Sequence, residues 1–205
     1  MAESLLPHAA PGAPGEPVRL VLPHPLEQLV AEARPLPAAE LSLKSVGARF
    51  SLRLADEAAM GRVGEAFGAA LPTKACTFES SGTATAIWLG PDEWLLCAEA
   101  ADPQGLSETI ASALGDAPNS LVDVTERSLT FVLTGDEAER VLSAGCPLDL
   151  AEASFPVGSG TRTVFGKSEI VLWRTGPQAF HIDVWRSFAP YVFGLLDEAR
   201  RELRA

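Results

Sequence analysis

The stretch Ala86-Ile87-Trp88-Leu89-Gly90-Pro91-Asp92-Glu93-Trp94-Leu95-Leu96 sets two apolar runs on either side of Gly90-Pro91-Asp92-Glu93, whose composition is that of a tight turn. It reads as a β-hairpin with Trp88 and Trp94 near its bend. Neither this stretch nor any other carries a recognisable set of catalytic residues, so the chain is read first for its fold. Upstream, Leu41-Ser42-Leu43-Lys44-Ser45-Val46 and Arg49-Phe50-Ser51-Leu52-Arg53-Leu54 alternate apolar and polar residues, as half-buried strands do. Between them and the hairpin, Asp56 caps a helix with Met60, Val63 and Phe67 on one stripe, stopped by Leu71-Pro72. Downstream, a helix over 103–114 aligns Leu106, Ile110 and Leu114, and Gly115-Asp116-Ala117-Pro118-Asn119 ends it.

The second half repeats this order. Leu121-Val122-Asp123-Val124 and Leu129-Thr130-Phe131-Val132-Leu133 are expected as strands around the turn Glu126-Arg127-Ser128, and a helix over 137–144 follows Thr134-Gly135-Asp136. Strands are then expected over 162–165, 168–173 and 180–185, and a last helix over 188–203. Each half reads strand, strand, helix, strands, helix, with Leu52-Arg53-Leu54-Ala55-Asp56-Glu57-Ala58 standing where Phe131-Val132-Leu133-Thr134-Gly135-Asp136-Glu137-Ala138 stands in the second. The expected fold is α+β, a duplicated unit with helices on antiparallel sheets, its halves covering about 41–117 and 118–205. Residues 1–40 form a separate, proline-rich N-terminal arm. Pro7, Pro11, Pro14, Pro17, Pro23, Pro25, Pro35 and Pro37 leave room there only for a short helix over 26–33. Leu20, Val21, Leu22, Leu26, Leu29 and Val30 make the arm apolar enough to order against a partner, the alternative being disorder.

Composition narrows the function classes. A formal net charge of −11 and a pI near 4.7 give a field that repels phosphate, which argues against nucleic-acid binding. The terminal basic cluster of Arg200, Arg201 and Arg204, interleaved with Glu198 and Glu202, reads as a solvated helix face. Mean hydropathy is +0.14, yet no apolar run approaches the ~18 residues of a membrane helix, so the surplus belongs to core or interface. Residues 1–25 have neither a basic nor an apolar signal region, and a cytoplasmic location follows by default. Cys76, Cys97 and Cys146 are too widely spaced for a metal site or disulfide framework. Cys146 closes a helix, whose carbonyl end raises a thiol pKa, which disfavours a nucleophile. His8 and His24 lie in the arm, which leaves His181; His181 and Asp183 share a strand face without forming a triad. No phosphate-binding glycine loop occurs.

Four stretches, taken together, carry a resemblance: Ile87-Trp88-Leu89-Gly90-Pro91-Asp92-Glu93-Trp94-Leu95-Leu96; Val122-Asp123-Val124-Thr125-Glu126-Arg127; Val141-Leu142-Ser143-Ala144-Gly145-Cys146-Pro147-Leu148-Asp149-Leu150 with Phe155-Pro156; and Trp185-Arg186-Ser187-Phe188-Ala189. In this order the chain resembles, from about Leu41 to its end, the γ subunits of heterotetrameric sarcosine oxidases, and N-methylglutamate dehydrogenase complexes carry a similar small subunit. The resemblance implies the folate-binding-domain fold of glycine-cleavage aminomethyltransferases. It also implies membership of a complex that demethylates sarcosine to glycine, yielding hydrogen peroxide and a one-carbon unit on tetrahydrofolate. It further implies α, β and δ partner subunits, with FAD, FMN, NAD and tetrahydrofolate on the partners and zinc on the smallest one. No catalytic, cofactor-binding or metal residue is expected in this chain, and self-association is expected when it is isolated. Where aminomethyltransferases hold the pterin with a carboxylate, His181 stands here, and an imidazole cannot accept two pterin hydrogen bonds as a carboxylate does. A stand-alone folate-binding aminomethyltransferase-like protein, or the small subunit of an N-methylglutamate dehydrogenase complex, is the alternative. Trp88 and Trp94 read as core packing or as interface anchors. Arg127, with Asp123 or a partner's carboxylate within reach, Arg186 and Phe188 complete the candidate subunit contacts, and Ser187 is the expected cap of the last helix.

Overall fold

A computed structural model describes residues 25–44 and 47–203. The expectations for Leu20, Val21, Leu22, His8, His24, Val46 and Arg204 lie outside the described residues. In chain order the elements are α1 (Pro25–Glu32), a 3-10 turn (Pro37–Ala39), β1 (Glu40–Leu43), β2 (Ala48–Leu54), α2 (Glu57–Phe67), β3 (Phe78–Ser81), β4 (Ala84–Gly90), β5 (Glu93–Ala98) and α3 (Pro103–Leu114). There follow β6 (Asn119–Asp123), β7 (Ser128–Thr134), α4 (Ala138–Ser143), β8 (Gly160–Phe165), β9 (Ser168–Gly176), β10 (Ala179–Trp185) and α5 (Ala189–Arg201).

The strands form two antiparallel five-stranded sheets, ordered β3-β4-β5-β2-β6 and β1-β7-β10-β9-β8. Read from opposite ends, the two orders match strand for strand, with β6 and β1 in equivalent places. Each half therefore lends its first strand to the other half's sheet. The strands on either side of Glu126-Arg127-Ser128 consequently lie in different sheets: Leu121 of β6 pairs with Leu52, while β7 runs between β1 and β10. The intervening link crosses from sheet to sheet. The Val124 amide donates to the Arg49 carbonyl at 2.9 Å, and the Thr125 hydroxyl oxygen accepts from the Arg49 amide at 3.0 Å.

Period-two alternation decides the layers. Phe50, Leu52 and Leu54 of β2 and Trp94 and Leu96 of β5 pack with Val63, Phe67, Ile110 and Leu114 of α2 and α3. Phe131 and Leu133 of β7 and Phe180, Ile182 and Val184 of β10 pack with helices α1, α4 and α5, Leu26 of α1 included. The opposite faces meet in a thinner apolar seam of Ile87, Leu95, Val124, Val171 and Trp173. The result is four layers, helices outside and two sheets within.

Local chemistry sets the helix ends. Asp56 accepts from the Ala59 amide at 2.7 Å, and Asp102 does the same for Gly105 at 2.7 Å, a cap that starts α3. Helix α2 stops at Gly68, whose φ of 93° suits a left-handed cap, rather than at Leu71-Pro72. Ser187 does not cap α5: Phe188 occupies that position without a side-chain bond, and Pro190 presets the first turn instead.

Two buried arginines hold irregular chain in place. Arg200 is not on a solvated face, being 2% exposed; it follows Val192 and Leu196 at four-residue steps along the buried stripe of α5. It donates to the carbonyls of Ala39 and Arg34 and pairs with Asp197, which ties the approach to β1 to the last helix. Arg174 lies over the Phe180 ring and donates to the carbonyls of Leu150 and Phe155 at 2.9 and 3.0 Å. That pins the loop between α4 and β8, where the Cys146-Pro147 and Phe155-Pro156 stretches lie.

Candidate functional site

With Phe50, Leu52 and Leu54 turned to the helices, β2 directs Arg49, Ser51 and Arg53 at the other sheet. Likewise β10 directs His181, Asp183 and Trp185 inward to meet them. The centre of the seam is an ion pair across the sheets. Arg49 Nε donates to Asp183 Oδ2 at 3.0 Å, Arg49 Nη2 donates to Thr130 Oγ1 at 2.8 Å, and the Thr130 hydroxyl donates to Asp183 Oδ2 at 3.1 Å. The two charged side chains are 5% and 6% exposed. Burial pushes the Asp183 carboxyl up, while the Arg49 charge and the Thr130 and Ser128 hydroxyls pull it back. Among the described residues the buried Arg49 Nη1 atom has no hydrogen-bond partner, and Arg49 and Thr130 line a cavity of about 20 Å³.

Beyond Asp183 the seam opens into a cleft of about 270 Å³. Glu93 at its wall accepts from Arg53 Nη2 at 2.8 Å and, across the sheets, from Arg162 Nη2 at 2.7 Å. Arg127 also lines the cleft, its guanidinium carbon 5.4 Å from the Trp185 ring centroid. Of the expected contact residues, Arg127 therefore pairs with an aromatic ring, whereas Asp123 accepts from the Thr125 amide. Arg186 forms an ion pair with Glu126, and Phe188 is 44% exposed. Trp94 is wholly buried, its indole N–H donating to the Pro72 carbonyl at 2.8 Å, and so offers no surface to a partner. Trp88 packs partly buried against the same cluster.

Sequence reasoning passed over Arg49, Asp183 and the exposure of Trp185. The only available signal for the pair was that Arg49 and Asp183 occupy the polar phase of two alternating strands.

Burial pushes the Cys97 thiol up to about 12 and raises that of Cys146, so both stay protonated. Asp183 is taken up by Arg49 and Thr130, while the His181 ring packs on Trp173, centroids 5.0 Å apart, so no triad forms. Among the described residues no group of His, Cys, Asp or Glu could hold a metal, and no helix is long and apolar enough to cross a membrane.

His181 supplies a pH signature. Burial, and then the Lys44 charge, lower its pKa to about 4 against the partial opposition of Glu99. The unfolded chain therefore binds the proton first as pH falls, and stability drops between the ordinary imidazole value of about 6.5 and the folded value near 4. After allowance for solvent screening, the expected loss across that window is about 1–2 kcal/mol. Urea unfolding of wild type and His181→Gln at several pH values checks it. Identical pH profiles would remove His181 as the cause.

A family model described as "Sarcosine oxidase, gamma subunit family" matches residues 53–202. The chain is 35% identical over 141 residues to a sarcosine oxidase subunit gamma of Corynebacterium sp. (strain P-1), covering 67% of this chain and 68% of that one. It is 37% identical over 125 residues to the corresponding subunit of Corynebacterium sp. (strain U-96), a match that spans 61% of this chain and only 60% of that relative's length. Among solved structures, a chain of the heterotetrameric sarcosine oxidase from Corynebacterium sp. U-96, in complex with pyrrole 2-carboxylate, superposes with a TM-score of 0.79 at 29% identity, covering 88% of this chain and 93% of that one. The glycine cleavage system aminomethyltransferase T from Bartonella henselae superposes at 0.54 with 14% identity, over 83% of this chain and 47% of that one, a likeness of fold alone. The α+β, folate-binding-like fold expected from the sequence is the fold observed.

Proposed function

The chain belongs to the sarcosine oxidase γ-subunit family, and on that premise we propose that it is a structural subunit of a heterotetrameric sarcosine oxidase with no catalytic site of its own. The assembly oxidises the N-methyl group of sarcosine to give glycine, hydrogen peroxide and a one-carbon unit on tetrahydrofolate. The flavins, NAD and folate belong to the larger α and β subunits, zinc belongs to the small δ subunit, and the complex is cytoplasmic. Residues 41–205 act as one internally duplicated domain, a reading supported by the strand-for-strand match of the two sheets. Residues 1–40 act as an arm.

One observation carries the structural role: the polar groups between the sheets are largely spent on one another. Arg49 is spent on Asp183, Arg53 and Arg162 on Glu93, and the buried thiols are held protonated. A neutral His181 at the place of a pterin-binding carboxylate supports the same conclusion. What remains for interaction is surface. Trp185, Phe188 and Tyr191, within seven residues of chain from the end of β10 into the first turn of α5, are 44%, 44% and 40% exposed. Large aromatics left half open are the residues that anchor subunit interfaces. Arg127 and Arg186 stand beside them.

Co-expression with tagged partner subunits tests the role. The Trp185→Ser, Phe188→Ser double variant is expected to fold, since both side chains are half in water, and to be lost from the purified complex. Circular dichroism checks the fold and subunit stoichiometry checks the loss. Full incorporation of the variant would show that this surface does not dock.

A further inference from the structure

We propose that the cleft between the sheets is a binding site for a small monocarboxylate with an apolar body. The inference goes beyond the assembly role and concerns the chain on its own, because Arg127 and Trp185 also belong to the proposed docking surface. Charge accounting around the cleft carries the argument. Arg162 is paired with Glu93 at 2.7 Å and with Glu169 at 3.7 Å, and Glu93 also holds Arg53. Asp183, at the inner end, is taken by Arg49. Arg127 is left. Among the described residues no carboxylate lies within ion-pair distance of its guanidinium, whose neighbour is the Trp185 ring.

The lining thus presents one guanidinium that has no ion-pair partner among the described residues, in a concave, partly enclosed space. A guanidinium offers a planar fork of donors that matches the two oxygens of a carboxylate. Arg127 is also held by the backbone around it: its amide donates to the Val124 carbonyl at 3.0 Å, and its carbonyl accepts from the Arg186 amide at 2.8 Å. Those bonds fix the backbone of Arg127, and the Trp185 ring is the contact that orients its exposed guanidinium. Leu89, Leu95, Val171 and Trp185 supply apolar walls. Glu93, Glu169 and Asp183 flank the same space, so a multiply charged anion such as phosphate meets more repulsion than a single carboxylate does. A volume of about 270 Å³ lies at the small end of ligand sites and suits an acid of roughly six to ten heavy atoms.

Benzoate is a suitable probe for the full-length chain, with inorganic phosphate as the second arm. Saturable one-to-one benzoate binding with a Kd on the order of 1 mM is expected by calorimetry. Phosphate at the same concentrations should neither bind nor compete. Arg127→Gln is expected to weaken benzoate binding about tenfold or more, because a charge-assisted bidentate contact is lost. Arg140→Gln, on α4 and paired with Glu137, should leave it unchanged. A measurement on the wild type guards against a folding defect in the variant: benzoate should shift the Arg127 Nε–H and Trp185 indole resonances in NMR spectra. Absence of saturable binding, equal affinity in a folded Arg127→Gln, or shifts confined to other residues would each overturn the proposal.

Discussion

Asp183→Asn is expected to lower the stability of the chain by about 3–5 kcal/mol, because it leaves the Arg49 guanidinium buried without a counter-charge. The substitution keeps the shape of the side chain, so packing is not the cause. What changes is that a cation with 5% side-chain exposure, one of whose nitrogens already lacks a partner, loses the carboxylate that made its burial tolerable. Burial pushes the Asp183 carboxyl up even with Arg49 beside it, so the pair itself does not fully recover its desolvation cost. A second expectation follows from that balance. The double replacement Arg49→Met, Asp183→Leu removes both charges and should restore most of the stability lost by the single variant. Urea unfolding at neutral pH measures all three proteins. A loss under about 1 kcal/mol in Asp183→Asn, or a double variant no better than the single one, would show that the cross-sheet pair does not work in this way.

Most elements were legible because they rest on local rules. The hairpin around Pro91-Asp92 is β4 and β5, with Trp88 paired to Trp94. The alternation of residues 49–54 is β2, and Asp56 caps α2. The short helix expected in the arm is α1, and Leu26 is buried in the core. Strand β3 went unread because Phe78-Glu79-Ser80-Ser81 carries a single large apolar side chain. As an edge strand it is held by the ladder to β4 rather than by burial.

The exchange of β1 and β6 between the sheets could not be read locally. Alternation fixes which face of a strand is apolar, not which neighbour it takes, and a short link can close a hairpin or cross a seam equally well. The candidate site was obscured for a related reason. In a single sheet the polar phase of a strand faces water, so nothing local marks Arg49 and Asp183 as partners in an interior. Stacking a second sheet on that face buries them, and the charged residues of the pattern pair in the interior. Arg200 was misread by the same route, since a charged residue on the buried stripe of α5 looks solvated until the carbonyls of Arg34 and Ala39 arrive from far along the chain.

Trp94→Ala is the second large effect, an expected loss of about 3–5 kcal/mol. Trp94 lies wholly inside the cluster formed by β2, β5, α2 and α3, so its truncation leaves a cavity beside its cross-strand neighbours Leu52 and Trp88, which the sheet holds in place. The Pro72 carbonyl loses its indole donor in the same step, and that bond holds the segment between α2 and β3. Partial collapse of the site sets where in the range the value falls. Trp185→Ala provides the contrast. It removes an aromatic of the same size that is 44% exposed, and its stability cost should stay below about 1 kcal/mol. Denaturation midpoints of the two variants, measured beside their incorporation into the complex, separate core from contact. If Trp94→Ala kept the stability of the wild type yet failed to assemble, Trp94 would act at the interface despite its burial, and the division into a buried tryptophan for folding and an open one for docking would be wrong.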